Sequence, residues 1–283
     1  LFSQNSPSPT PTPTTWTLGR HLPKTLESRL FLGSALYPSL SDFKESVLKS
    51  QSQVVTVSVR RTWAQSPDKA AQFWEILKEL QLSHGVHFLP NTAGCLSAQE
   101  AIQTAHMARE IFNTSWIKLE VITDTTTLSP NPVELVKAAS TLNLEGFDVF
   151  PYTSDDLGLS MNLADAGCTI LMPGGSPIGT GLGPLNPYAL SRFRHFFPQN
   201  EFTLVLDAGI GLPHHAAQVM EMGFDAVLAN SAVARALNPA LFAESLKLAV
   251  ISGHLGFLSG PMKSQQDPSP STPLLEKPFW HQE

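Results

Sequence analysis

Two charges interrupt the apolar run Trp116-Ile117-Lys118-Leu119-Glu120-Val121-Ile122. Side chains alternate across a strand, so Lys118 and Glu120 share one face while Ile117, Leu119 and Val121 share the other. A run this apolar is expected to be covered on both faces, where a charge is costly unless it is paired or neutralised. A nucleophilic lysine is one reason to keep such a pair. Desolvation lowers an amine's pKa and leaves it uncharged and free to attack a carbonyl, while a neighbouring carboxylate carries the protons that imine chemistry requires. A buried ion pair without chemistry fits the same pattern.

Other segments offer partners for that lysine. Asp207 ends an apolar run and is followed by Ala208-Gly209-Ile210-Gly211, small residues that let a ligand approach the backbone. A turn or helix-capping aspartate is the plainer reading. The stretch from Met172 to Gly183 carries five glycines, Gly174, Gly175, Gly179, Gly181 and Gly183, and such a loop can aim main-chain N–H groups at an anion. It matches neither a P-loop nor a dinucleotide fingerprint, and simple loop flexibility accounts for it equally well. Asn230-Ser231 would complete a phosphate cradle with Ala208 and Gly209. Asn91 to Cys95 and Tyr152 to Asp156 also leave apolar runs, with ordinary turn chemistry as their simplest role. His214 and His215 read as surface residues, since no third ligand recurs at metal spacing, and no metal site is expected.

These residues need a scaffold. Short apolar runs at 30–32, 54–59, 87–89, 116–122, 149–152, 169–172, 203–206 and 226–228 predict strands. Amphipathic stretches at 40–49, 69–80, 98–112, 133–142, 157–166, 188–196, 215–222 and 240–250 predict helices between them. Alternation of buried strand and helix implies parallel strands with crossovers, and about eight such units close a TIM (β/α)8 barrel. Asn131-Pro132, Asn186-Pro187 and Asn238-Pro239 each supply a cap and a proline at the first helical position. Ser97 to Glu100 reads as a capping box. In such a barrel the active site lies at the C-terminal ends of the strands, where Lys118, Asp207 and the glycine loop all fall.

Composition narrows the function classes. A chain of 283 residues, 42% hydrophobic and 15% charged, matches one barrel, and its net charge of -6 gives no electrostatic case for nucleic acid. Cys95 and Cys168 suit structural thiols in a reducing compartment. No stretch is expected to reach the roughly 20 apolar residues that span a bilayer, so a soluble protein without a membrane partner is expected. Residues 1–24, with the run Ser-Pro-Ser-Pro-Thr-Pro-Thr-Pro-Thr-Thr, read as a tail or linker, and residues 263–283 as a second tail with an apolar cluster at Pro278, Phe279 and Trp280. Residues 25–262 are left as the barrel.

Five segments, taken together and in order, resemble the thiazole synthase family of thiamine biosynthesis, bacterial and plastid type. They are Val54-Val55-Thr56-Val57-Ser58-Val59-Arg60-Arg61, Leu89-Pro90-Asn91-Thr92-Ala93-Gly94-Cys95, Lys118-Leu119-Glu120-Val121-Ile122, Pro177-Ile178-Gly179-Thr180-Gly181-Leu182-Gly183 and Asp207-Ala208-Gly209-Ile210-Gly211. The resemblance implies that Lys118 forms an imine with 1-deoxy-D-xylulose 5-phosphate, that Glu120 and Asp207 are the acid/base pair, and that Gly179, Ala208, Gly209, Asn230 and Ser231 contact the phosphate. It implies sulfur delivery from the C-terminal Gly-Gly thiocarboxylate of a small sulfur-carrier protein, and dehydroglycine from a glycine oxidase or a tyrosine lyase. It also implies a homotetramer in the cytoplasm, or in the plastid stroma of a photosynthetic eukaryote. No cofactor is expected in this chain, FAD belonging only to a fused or separate oxidase; the proline-rich front resembles the linker of such fusions. Leu212-Pro213-His214-His215 departs from the family's usual Thr-Pro-Ser-Asp, which leaves the cap of the following helix unexplained. Ser231 stands for the usual Thr, and Gly174-Gly175-Ser176 is a local variant. Another Schiff-base phosphosugar aldolase, or a catalytically silent barrel serving as an assembly partner, would share parts of this pattern.

Overall fold

The computed structural model describes residues 15–59 and 67–269. Most of the proline-rich run, together with Arg60, Arg61 and the cluster at Pro278, Phe279 and Trp280, lies outside the described residues. Eight parallel strands close into a barrel: β3 (Leu30–Gly33), β4 (Val54–Ser58), β5 (His87–Asn91), β6 (Trp116–Leu119), β7 (Asp148–Thr153), β8 (Ile170–Pro173), β9 (Thr203–Asp207) and β10 (Ala226–Ala229), with β10 returning to β3. Helices α1 (Leu40–Ser50), α2 (Pro67–His84), α3 (Ala98–Phe112), α4 (Pro132–Leu144), α5 (Leu157–Asp165), α6 (Pro187–Phe196), α7 (Pro213–Glu221), α8 (Ser231–Ala234) and α9 (Pro239–Leu258) make the connections. This is the expected TIM barrel.

Strand alternation divides the core into two layers. Outward residues such as Val55, Ile117, Leu119, Val149 and Leu204 pack under the helices, while Phe31, Leu89, Trp116, Phe150, Met172 and Val205 fill the barrel interior. The predicted caps form: Asn131, Asn186 and Asn238 accept from the main-chain N–H of Glu134, Ala189 and Leu241 at 3.2, 3.1 and 3.0 Å. Ser97 accepts from Glu100 N at 3.3 Å, but the Glu100 carboxylate reaches back to Leu96 N, one residue before the cap.

Three differences from the sequence reading matter. First, residues at the end of the expected front tail are folded: β1 (Trp16–Leu18) pairs antiparallel with β2 (Lys24–Leu26). Leu18 and Leu26 are fully buried and join the interior layer, and Trp16 stacks on Phe31 at 6.2 Å. The Asp148 carboxylate, at the start of β7, accepts from Arg20 N, His21 N and Leu22 N at 2.7 to 3.0 Å and so fixes the turn. Gly19 (φ 89°) lies so close to the Trp116 indole that a Cβ there would sit 2.6 Å from Nε1. The hairpin is a plug in the N-terminal end of the barrel.

Second, β6 stops at Leu119 rather than running to Ile122. The Thr92 hydroxyl takes the place of a ladder neighbour, accepting from Glu120 N and donating to Glu120 O, both at 2.8 Å. Third, α9 contradicts the expectation that no segment has the length and apolarity to span a bilayer: its 20 residues do, by length and composition alone. It is the barrel's last crossover helix, with Ala243, Leu246 and Val250 buried and Gly253 pressed onto the backbone of Ala217 in α7. The sequence reading stopped this helix at residue 250 and so missed its apolar last two turns.

Candidate active site

Lys118 points inward from β6 near the C-terminal end of the barrel. Two residues earlier on the same face, Trp116 fills the layer below. The Lys118 ammonium lies 2.6 Å from Asp207 Oδ2, at the end of β9, and 3.1 Å from Glu120 Oε1. All three residues are buried, none more than 7% exposed. Sequence reasoning placed them at one mouth, and the fold brings them into contact.

Their charges differ from the expectation. Burial alone would lower the Lys118 pKa, as anticipated, but the Asp207 and Glu120 carboxylates outweigh it and hold the amine above its ordinary range. The resting amine is therefore an ammonium, not the uncharged group that desolvation predicts. Asp207 moves the same way: burial lifts its carboxyl, Lys118 opposes this and Glu120 adds to it, for a net rise. The two charges lie 2.6 Å apart inside the barrel, which makes Asp207 the nearest base to the Lys118 ammonium.

The second tier of the site went unassigned in the sequence. Tyr152, inward on β7, places its ring 5.9 Å from the Lys118 nitrogen. Burial, then the Asp207 charge, raises its phenol well above the usual range, so it stays protonated. Thr92 fixes Glu120 through both main-chain bonds, and Asn91 is the register partner of Lys118 on β5. Both threonine and tyrosine stood in segments expected to line the mouth. Nothing in their local sequence separated these roles from ordinary turn residues.

The glycine loop folds down against the end of β9. Gly174 forms a parallel bridge with Asp207 and donates to Thr153 O at 2.9 Å, extending the barrel wall around the carboxylate. Ala208 (φ 69°) and Gly209 (φ 86°) are both left-handed. For an alanine this conformation costs on the order of 1 kcal/mol and tends to mark functional turns. A Cβ at Gly209 would collide with Ser176, and one at Gly211 with the Gly181 carbonyl, so the loop and the β9 turn touch backbone to backbone. Gly179 (φ 81°) faces Ser231, whose Oγ is 3.8 Å from where its Cβ would be. The loop thus packs on the β9 turn through Ser176 and faces Ser231 through Gly179. Asn230 is committed elsewhere: with its amide oriented to satisfy both ends, its nitrogen donates to Ala35 O at 2.9 Å and Gly33 O at 3.2 Å. Any anion contact from Asn230 falls to its main-chain N–H.

His215 is more than a surface residue. Its Nδ1 accepts from Gly211 N and Leu212 N, both at 3.2 Å, replacing the side-chain acceptor that Leu212 cannot offer at the start of α7. Its ring also backs the loop, since a Cβ at Gly183 would lie 2.7 Å from it. Burial, then the neighbouring His214, lowers its pKa, which keeps Nδ1 free to accept.

The relationships of this chain agree with that geometry. The family described as thiazole biosynthesis protein ThiG matches residues 22–273. The thiazole synthase of Brucella abortus (strain S19) is 54% identical over 257 residues, covering 90% of this chain and 97% of the relative. That of Coxiella burnetii (strain Dugway 5J108-111) is 52% identical over 254 residues, covering 90% and 95%. Among solved structures, a chain of the Amycolatopsis orientalis BexX/CysO complex superposes with a TM-score of 0.76 at 27% identity, covering 86% of this chain and 96% of that one. With most of its length matched and more than half of the aligned residues identical to those of these relatives, the chain belongs to the ThiG family of thiazole biosynthesis proteins.

Proposed function

We propose that this barrel carries out its family's reaction, thiazole synthase in thiamine biosynthesis, through an imine on Lys118. The observation that carries the reading is the Lys118 nitrogen held 2.6 Å from Asp207 and 3.1 Å from Glu120 inside the barrel mouth. Asp207 takes a proton from the ammonium. The free amine adds to the ketone carbon of 1-deoxy-D-xylulose 5-phosphate, and the former carbonyl oxygen leaves as water once it is protonated. The protonated C=N is a stronger electron sink than C=O, so a proton on the neighbouring carbon becomes removable, with Glu120 as the nearby base. The main-chain groups of Gly179, Ala208, Gly209, Asn230 and Ser231 hold the phosphate beside this carbon. Tyr152, kept neutral, supports the ammonium's side of the pocket without competing as a base.

Sulfur then comes from the C-terminal thiocarboxylate of a small sulfur-carrier protein, and dehydroglycine closes the ring with loss of water. The similar chain in the BexX/CysO complex was crystallised with a second protein, which supports a protein partner at this barrel. Dehydroglycine is supplied from outside the barrel, by a glycine oxidase or a tyrosine lyase. An aldolase would share the lysine but need no carrier.

Incubation with 1-deoxy-D-xylulose 5-phosphate and borohydride tests the reading. Mass analysis is expected to place one reduced adduct on the peptide containing Lys118; in a separate incubation without borohydride and with dehydroglycine supplied, product is expected only when thiocarboxylated carrier is present. An adduct on a different lysine, or turnover without the carrier, overturns it.

A further inference from the structure

At the end of the barrel opposite Lys118, a cavity of about 700 Å³ opens between the exit of the hairpin, the ends of α1 and α2, and the last turns of α9. That size falls within the range of small-molecule sites. Its walls are aliphatic: Val47 from α1 faces Val250, Ile251 and Leu255 from α9.

Arg29, His84, Lys247 and His254 line it among neutral serines and glutamines. His254 is 9% exposed, and neither ring nitrogen has a hydrogen-bond partner. Leaving a buried imidazole unpaired costs roughly 1–3 kcal/mol, which a ligand that accepts its N–H would recover. Beside it, Arg29 donates to Asp225 O at 2.9 Å and lies 4.9 Å over the Trp16 ring. The Asp225 carboxylate is hydrogen-bonded by Arg194 at 2.6 Å, Gln199 at 2.9 Å and Leu204 N at 2.8 Å, and its charge is still felt at Arg29 and His254 beyond ion-pair distance. Among the described residues Arg29 has no carboxylate within ion-pair distance. Lys247, bonded to Gln51 at 3.2 Å, adds a second cation at the rim, and Glu27 is the one acid lining the cavity.

We propose that this cavity binds a small amphipathic monocarboxylate, its head on Arg29 and His254 and its aliphatic body between α1 and α9. One guanidinium and one imidazole N–H match a singly charged, planar head better than a phosphate dianion, which recruits several cations. A second copy of the chain is the competing occupant, because Leu248, Ile251, Leu255 and Leu258 repeat on α9 at alternating spacings of three and four and are exposed. A helix seated on that stripe would cover these four exposed side chains, whereas the unpartnered ring of His254 lies buried beneath them. Charge and the orphaned ring favour the carboxylate.

Decanoate and decanol are the probes, titrated calorimetrically into the full chain below their aggregation concentrations. Decanoate is expected to saturate at one per chain and to bind at least tenfold more tightly than decanol. Arg29→Met, which keeps the aliphatic bulk, and His254→Leu, each checked for cooperative melting, should each weaken decanoate at least tenfold while leaving decanol unchanged. Equal affinity for the two probes overturns the proposal without relying on any variant. So does decanoate binding that survives both substitutions, and so does failure of either probe to saturate, the outcome if a second copy covers the groove.

Discussion

Trp116 and Lys118 stand two residues apart on β6, both inward and both buried, and serve opposite purposes. Around Trp116 the interior is hydrocarbon and aromatic: Phe150 lies 5.5 Å away, the hairpin closes the end, and the residues of the layer are buried to within a few per cent. Around Lys118 the same barrel holds three ionisable groups in contact. The bottom layer spends its burial on stability. The top layer spends stability to place a protonated amine between two acids, an arrangement that would cost several kcal/mol if any one partner were removed.

That contrast can be broken by substitution. The largest effect is expected at Lys118: Lys118→Ala should lower turnover by more than about 10³-fold, since no other group replaces the covalent step, and circular dichroism should still report a folded barrel. Trp116→Ala should do the reverse, costing about 3–5 kcal/mol in denaturant unfolding while the folded fraction still forms the borohydride-trapped adduct. If Trp116→Ala abolished trapping without lowering stability, the two layers would not be separable. Glu120→Gln is expected to bind the ketose phosphate but to slow turnover by about 10²-fold, seen as a fall in kcat at near-constant KM.

The smallest effect concerns His215. Its folded pKa is lowered, so the native state binds fewer protons than the unfolded chain, whose imidazole titrates near about 6.5. Its contribution is therefore complete above that value and is lost as pH falls toward the lowered folded pKa, when a protonated Nδ1 can no longer accept from Gly211 and Leu212. Thermal melts should show the melting temperature falling slightly on acidification through this window, and His215→Asp should carry the cap to lower pH. An unchanged acid profile in that variant would assign the decline to other groups.

Much of the barrel was legible because its signals are local. Period-two and helical patterns gave the eight units, and each Asn-Pro pair capped the helix expected of it. The errors lie where a distant side chain substitutes for local structure. Thr92 ends β6 early by taking both main-chain groups of Glu120. Asp148 turns the front hairpin from more than a hundred residues away, so a proline-rich neighbourhood concealed a folded plug. The charge of Lys118 was misjudged for the same reason. Desolvation can be inferred from an apolar run, but the opposing pull of Asp207 depends on a distance that only the closed barrel sets. Of the residues the resemblance assigns to the phosphate, Gly179 faces Ser231 and Gly209 packs on Ser176, while the Asn230 side chain ties β10 to the loop after β3.

The plugged end gives the enzyme the plan of a flask rather than a tunnel. With Leu18, Leu26 and Trp116 sealing the base, reactants and waste alike must use one neck, past the glycine loop. A single neck makes passage sequential: any two ligands that meet at Lys118 must come and go through the same opening, one after the other.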